Sequence, residues 1–172
     1  MQRVLVLGSS GSGKSTFARA LAGRLGVEVI HLDAHYWLPH WVPTPPAEWE
    51  ARVAELAARD AWVMDGNYRS TMDLRLTRAD TVFYLQEYRL VCLGRAIWRR
   101  LQYRGRTRPD VGPECPEKID WEFVRWIWRF PRDNQPEIFQ RLAAAPVGTR
   151  VVLLRGIGRQ RAFLRDLPER AG

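Results

Sequence analysis

Eight residues near the N-terminus constrain this chain more than any others: Gly8-Ser9-Ser10-Gly11-Ser12-Gly13-Lys14-Ser15. They match the pattern G-x-x-x-x-G-K-S/T, and their flanks fit it. Residues 2–7, Gln-Arg-Val-Leu-Val-Leu, read as a buried strand ending at Gly8, and Ser15 to Leu25 carries Phe17, Ala18, Leu21 and Leu25 at helical spacing. Glycines in such a turn let backbone N–H groups form a nest around phosphates, and the helix N-terminus adds its positive dipole. Lys14 is then placed to bridge the β- and γ-phosphates of a nucleoside triphosphate, Ser15 to hold Mg²⁺ through its hydroxyl, and Thr16 to begin the helix. Gly8 to Thr16 is therefore the predicted site for ATP and its Mg²⁺.

Beyond the motif the chain keeps alternating. Runs at Val27–Leu32, Trp62–Asp65, Thr81–Leu85 and Arg150–Leu154 predict four more short strands. Helical spacing recurs at Ala47–Ala58, Tyr88–Tyr103, Lys118–Trp128, Asn134–Ala144 and Gln160–Leu167. Strands alternating with helices predict an α/β protein with a largely parallel sheet, and a length of 172 residues fits one such domain spanning 1–172. Two stretches interrupt the pattern. Residues 36–46, with Pro39, Pro43, Pro45 and Pro46 among Tyr36, Trp37 and Trp41, read as an extended loop leading into a helix opened by Ala47 or Glu48. Residues 104–117, with Gly105, Pro109, Gly112, Pro113 and Pro116 between arginines, read as a mobile flap.

Composition narrows the class. Hydrophobic residues at 46% and charged residues at 27% support a globular core and exclude collagen-like and disordered chains. No apolar run approaches the roughly 20 residues that cross a bilayer, and no basic segment with a long apolar stretch opens the chain. Two cysteines, Cys92 and Cys115, are too few for a disulfide framework or a four-cysteine zinc clip. A soluble, cytoplasmic protein without a membrane partner is expected. The net charge of +8 attracts anions, whether small-ligand phosphates or nucleic acid. Of 27 basic residues only Lys14 and Lys118 are lysines, so a compact ammonium has been kept at the motif in a chain that otherwise uses arginine.

At these motifs the chain resembles the small P-loop kinases related to adenylate kinase, among them the shikimate and uridine kinases. It is most similar to the bacterial proteins called DNA topology modulation proteins. The resemblance rests on Gly8 to Thr16, His31-Leu32-Asp33-Ala34-His35-Tyr36-Trp37, Trp62-Val63-Met64-Asp65-Gly66-Asn67-Tyr68, Ala79-Asp80-Thr81, and the Arg95 to Glu117 region, and so covers most of the chain. It implies a three-layer α/β/α fold with a five-stranded parallel sheet in the order 2-3-1-4-5 and a small lid at 104–118. It also implies phosphate transfer from ATP to a nucleotide, nucleoside or small metabolite bound by an acceptor-side segment at 33–60; the alternatives are a nucleotide-binding regulator that acts on DNA and a P-loop hydrolase without an acceptor.

Candidate residues follow. Asp33 falls just past the second predicted strand, on the edge where α/β sheets bind ligands. A carboxylate there can orient or deprotonate an acceptor hydroxyl, as the matching Asp does in the kinases it resembles, or it can simply cap the next turn. His31, Asp33 and His35 would share a face only if that strand continued, and no fourth metal ligand is evident. Asp65-Gly66-Asn67-Tyr68-Arg69 resembles the Asp-Gly-Phe-Pro-Arg of adenylate kinase. The resemblance places Asp65 near Mg²⁺, and Gly66 and Arg69 at the acceptor. The residues alone also allow a tight turn at Gly66 with Asp65 capping the next helix. Asn67-Tyr68 in place of Phe-Pro means that acceptor recognition does not transfer.

Arg95, Arg99, Arg100, Arg104, Arg106 and Arg108 put six guanidinium groups in 14 residues. Arg95 and Arg99, one helical turn apart, can both face phosphates, and the resemblance makes Arg99 and Arg104 lid arginines that neutralise the transferred group. A solvated helix face or a nucleic-acid patch are the other readings, although no DNA-binding module is present. Tyr36, Trp37 and Trp41 can stack on an acceptor ring or cover the sheet. Trp121, Val124 and Trp128 form one face of a helix ending at Pro131, and Phe123, Ile127 and Phe130 another, a pattern of packing on two sides. The resemblance places Gly156, in the loop Arg155-Gly156-Ile157-Gly158, at the segment bordering the adenine, although an ordinary αβ loop needs glycines too.

Overall fold

A computed structural model describes residues 1–116 and 119–168. Lys118 and the end of the lid-like segment lie outside the described residues. In chain order the elements are β1 (Arg3–Gly8), α1 (Lys14–Leu25), β2 (Glu28–His31), α2 (Leu32–Tyr36), β3 (Trp37–Leu38), β4 (Val42–Pro43), α3 (Pro46–Ala58), β5 (Trp62–Asp65), α4 (Met72–Leu76), β6 (Thr81–Gln86), α5 (Arg89–Gln102), α6 (Trp121–Asp133), α7 (Gln135–Ala143), β7 (Arg150–Arg155) and α8 (Gly156–Asp166). Five strands form one parallel sheet, β2-β5-β1-β6-β7, which in order of appearance is 2-3-1-4-5.

Strand alternation divides the core into two layers. Leu5, Leu7, Trp62, Met64, Val82 and Tyr84 point to the face covered by α3, α4, α7 and Phe130 of α6. Val4, Val6, Val63, Phe83 and Leu85 point to the opposite face, where α1 supplies Phe17, Ala18 and Leu21 and α8 supplies Phe163 and Leu164. A satellite cluster of Cys92, Ala96 and Ile127 joins α5 to α6. This three-layer arrangement places the C-terminal ends of β1, β2 and β5 along one edge, where the phosphate loop and Asp33 meet.

Several boundaries differ from the sequence reading for local reasons. The stretch 36–46 is a two-stranded antiparallel hairpin, β3 with β4, rather than an extended loop. Its base is closed by Thr44, whose N–H and hydroxyl both donate to the Tyr36 carbonyl, at 2.9 and 2.6 Å. Pro46, not Ala47, opens α3, since a first-turn residue needs no N–H. Helix α6 starts at Trp121, where the Asp120 carboxylate accepts from the Phe123 N–H at 2.8 Å, and it passes through Pro131 to Asp133. Asn134 N–H donates to the Phe130 carbonyl at 3.0 Å, so the turn around the proline stays closed. Only one face of α6 is buried: Ile127 and Phe130 pack inward, whereas Trp121 is 75% and Trp128 47% exposed. Arg89 instead lies over the Trp128 ring.

Residues 104–116 are not a free flap. They lie against the hairpin: Glu114 C=O accepts from His40 N–H at 3.1 Å, Pro116 C=O from Trp41 Nε1 at 2.9 Å, and the Cys115 thiol donates to the Leu38 carbonyl at 3.3 Å. Gly112 is packed so closely that an added Cβ would sit 1.9 Å from the Trp37 carbonyl oxygen.

Candidate active site

The phosphate loop is seated between β1 and α5. At Gly11, with φ +78°, an added Cβ would lie 2.3 Å from the Cys92 carbonyl oxygen, so glycine is required both by backbone conformation and by space. Lys14 opens α1, one residue earlier than Ser15, and its Nζ donates across the loop to the Ser9 carbonyl at 2.9 Å. Burial pushes its ammonium below the usual lysine range, opposed by the charges of Asp65 and Asp33 and reinforced by Arg99. Ser10 is partly covered within the loop, and Thr16 is exposed on the first turn of α1. The Ser12 hydroxyl is buried without a hydrogen-bond partner among the described residues. An orphaned donor inside a cradle of glycine N–H groups fits a phosphate chain.

The end of β5 supplies a second carboxylate, Asp65. Asp65 accepts from the Ser15 hydroxyl at 2.8 Å, and its other oxygen is paired with Nδ1 of His31 at the end of β2. Asp65 therefore bridges α1 and β2 rather than capping the next helix. Gly66, with φ +134°, turns the chain so tightly that an added Cβ would meet Leu32 Cβ at 2.9 Å. The next two residues then face the site. The Asn67 amide reads both backbone groups of Gly8, accepting from its N–H at 3.1 Å and donating to its carbonyl at 2.9 Å. Tyr68 donates its hydroxyl to Asp33 at 2.6 Å.

Asp33 sits in the first turn of α2, immediately beyond β2. Burial raises its pKa above the ordinary carboxylate value and Asp65 adds to the rise, while the Tyr68 hydrogen bond, Lys14 and Arg108 oppose it. A carboxylate made more basic in this way, on the same sheet edge as the phosphate loop, is suited to accept a proton.

Arginines reach the site selectively. Arg95 Nη1 donates to the Gly11 carbonyl at 3.2 Å and lies 3.4 Å from Glu87. Arg99 is close enough to Lys14 to depress its pKa. Arg104 is exposed, and the structure does not bring it to the phosphate loop. Arg108, four residues on, comes in instead and pairs with Asp110 at 3.0 Å, both side chains nearly buried. Burial raises the Asp110 pKa, but Arg108, the Ser15 hydroxyl and His31 outweigh it and hold the carboxyl below its usual range.

Arg69 does not face the acceptor side. Its guanidinium pairs with Glu137 of α7. The buried arginine of this segment is Arg75, which donates to the carbonyls of Gly66, Asn67, Tyr68 and Thr71 and so holds the turn in shape. Tyr36 packs edge to face on Trp37 and Trp49 and against Tyr68, and Trp37 on Trp41, so these aromatics are both packing and the wall beside Asp33. Gly156 opens α8 rather than lying in a loop, because the helix begins four residues earlier than its apolar spacing indicates. That start brings Gln160, which donates to the Ser12 carbonyl at 3.1 Å, under the phosphate loop.

Asp110 and Gln160 reach this edge without an individual sequence signal, whereas Asn67 and Tyr68 stand out in the sequence only as a departure from Phe-Pro, Arg108 only within the arginine run and His31 only beside Asp33 and His35. His31, Asp33 and His35 form no metal cluster, and among the described residues no group of three or more His, Cys, Asp or Glu side chains is placed to hold an ion. No helix of the described residues is long and apolar enough to cross a membrane.

The fold and this edge define a P-loop kinase-type α/β/α architecture. A sequence model of the ATPase family associated with various cellular activities (AAA) matches residues 4–84. Among solved structures, a gluconokinase from Sinorhizobium meliloti 1021 is similar over 98% of this chain and 94% of its own, with 20% identity and a TM-score of 0.54. A shikimate kinase from Bacteroides thetaiotaomicron gives 16% identity and a TM-score of 0.58 over 96% and 95%. A shikimate kinase from Acinetobacter baumannii, in complex with shikimate, gives 21% identity and 0.54 over 96% and 89%. These are likenesses of fold. Among curated proteins, none matches the chain.

Proposed function

We propose that this chain is a Mg²⁺-dependent kinase that transfers the γ-phosphoryl group of ATP to a hydroxyl of a small acceptor. The observation that carries the reading is the hydrogen bond of the motif's Ser15 hydroxyl to Asp65, with Asp33, its pKa raised by burial, on the same sheet edge. Ser15 and Asp65 are the groups that would hold Mg²⁺, the Asp through the ion's water shell. When bound, Mg²⁺ supplies neutralisation of the β- and γ-phosphate oxygens.

The chain's own residues do the rest. Loop N–H groups and the Ser12 hydroxyl hold the phosphates, Lys14 exchanges its bond to the Ser9 carbonyl for phosphate oxygens, and Arg95 and Arg99 flank them. Asp33 orients the acceptor hydroxyl and takes its proton. The acceptor oxygen forms a bond to the γ-phosphorus as the bond from phosphorus to the bridging oxygen breaks, and ADP leaves with that electron pair. Positioning and electrostatics provide the acceleration. The test is ADP release from Mg-ATP across nucleotides, nucleosides and hydroxyl-bearing metabolites, with Lys14→Ala as the blank. Acceptor-dependent release with a phosphorylated product supports the reading; ATP binding with no acceptor effect overturns it.

A further inference from the structure

We infer that Gln160 of α8 is a positioning residue for the phosphate loop: by holding the Ser12 carbonyl it turns the Gly13 N–H toward the phosphates of the nucleotide. This rests on the nucleotide-binding half of the phosphotransfer reading above.

Gln160 is out of character for its helix. It is the one fully buried residue of α8, 2% exposed, while Arg159 and Arg161 beside it are exposed and the apolar Phe163 and Leu164 are only partly covered. A buried amide needs a partner. Its Nε2 finds one 148 positions away in the chain, donating to the Ser12 carbonyl at 3.1 Å. Its Oε1 lies against the next residue: a Cβ added to Gly13 would come within 3.1 Å of it.

That hydrogen bond fixes more than one atom. The Ser12–Gly13 peptide is trans, so the Ser12 carbonyl and the Gly13 N–H point to opposite sides. Gln160 approaches from α8, outside the loop, and holding the carbonyl outward aims the N–H inward. Without an anchor this peptide is free to turn over, because Gly13, at φ +96°, has no side chain to restrict it. Turned over, it would present a carbonyl oxygen where an anion needs a donor. The preceding peptide is secured at both ends within the protein. There the Gly11 carbonyl accepts from Arg95 Nη1 at 3.2 Å, and the Ser12 N–H donates to the Ser9 carbonyl at 3.2 Å. The Ser12–Gly13 peptide is secured at its carbonyl alone, and among the described residues its N–H has no acceptor. That donor is therefore set in place for a ligand anion, and binding requires no reorientation at this peptide.

The experiment measures the dissociation constants of Mg-ATP and Mg-tripolyphosphate by titration calorimetry on the full chain, with Lys14→Ala as the blank for adventitious binding to this basic protein. Wild type is compared with Gln160→Met, which keeps the length of the side chain and loses the donor, and Gln160→Glu, which turns an oxygen on the Ser12 carbonyl. Gln160→Met should weaken both ligands about tenfold, the worth of one such hydrogen bond, and Gln160→Glu should weaken them more. In wild type, tripolyphosphate should also move the Gly13 amide proton downfield in the NMR spectrum. That reading needs no variant, and it decides alone if neither variant folds. Unchanged affinity in the variants, a loss for ATP without a loss for tripolyphosphate, or a Gly13 amide that does not move overturns the inference. Binding is read without an acceptor, so a chain that binds ATP through Gly13 and phosphorylates nothing sinks the phosphotransfer reading and leaves the role of Gln160 standing. A wild type that binds neither ligand removes both.

Discussion

The hydroxyl of Ser15 donates to the carboxylate of Asp65 across 2.8 Å, joining the start of α1 to the end of β5. The bond ties the phosphate loop to the strand whose next residues, Gly66 to Tyr68, shape the acceptor side. Asp65 thereby orients the Ser15 hydroxyl of the motif without itself belonging to it.

Replacing Asp65 with Asn keeps the shape and removes the charge. The Mg²⁺ concentration needed for half-maximal ADP release is expected to rise about 10- to 100-fold, the usual loss when a group supporting a metal site is neutralised. A Mg²⁺ titration of wild type and Asp65→Asn checks this; an unchanged midpoint would show that Asp65 only braces the loop.

The raised pKa of Asp33 has a sign that can be read in a pH profile. Phosphotransfer requires the ionised carboxylate, so kcat/KM climbs as pH rises through a pKa above the ordinary carboxylate range. Tyr68 donates to the ionised form and lowers that pKa, so Tyr68→Phe should move the acid limb to higher pH. Stability runs the other way. With the folded pKa above the unfolded one, Asp33 weakens the fold progressively as pH rises between the two values, and the penalty is complete above the folded pKa. Asp33→Asn is therefore expected to raise Tm at neutral pH, with the gap closing as pH falls toward the unfolded carboxylate value.

Two arginines five residues apart, Arg99 in α5 and Arg104 just beyond it, should behave differently. Arg99→Ala removes a cation that acts on Lys14 and is expected to lower kcat about 10²- to 10³-fold. Arg104→Ala, at an exposed position, should stay within about threefold. Steady-state kinetics on the two variants decides the matter, and equal losses would mean that Arg104 enters the site during turnover.

Arg75 is a structural cation. Arg75→Met leaves the carbonyls of Gly66, Asn67, Tyr68 and Thr71 without their buried donors, and the expected cost is about 3–5 kcal/mol in urea unfolding. A loss under about 1 kcal/mol would mean that water replaces the guanidinium.

Gly112→Ala tests the seating of residues 104–116. The added methyl collides with the Trp37 carbonyl, so the segment must lift. Trypsin cleavage after Arg104 and Arg106 is expected to accelerate several-fold, while the sheet core, which does not touch Gly112, keeps the Tm within a few degrees. Unchanged proteolysis would show that the hairpin yields instead.

The phosphate loop was legible because its chemistry is contiguous: eight neighbouring residues carry the whole requirement, and alternating apolar runs located the sheet around them. The positions of Asp33 and Asp65 at the sheet edge were legible from their place after strands. Asp110, Gln160 and Tyr68 were not, because each reaches the site by tertiary packing of a segment distant from the motif. Within the run of arginines sequence gives no register: Arg104 is exposed, and the chain between Gly105 and Asp110 turns Arg108 inward. Trp121 and Trp128 read as packing because aromatic residues at helical spacing match a buried face, yet nothing in the pattern says which of two apolar faces the fold covers.

The contacts from Leu38, His40 and Trp41 to residues 114–116 join two parts of the molecule that could otherwise swing separately. Residues 114–116 cannot lift away from the hairpin without breaking these three hydrogen bonds, so a change in the length or tilt of the hairpin is felt directly by the segment that carries Arg108 and Asp110.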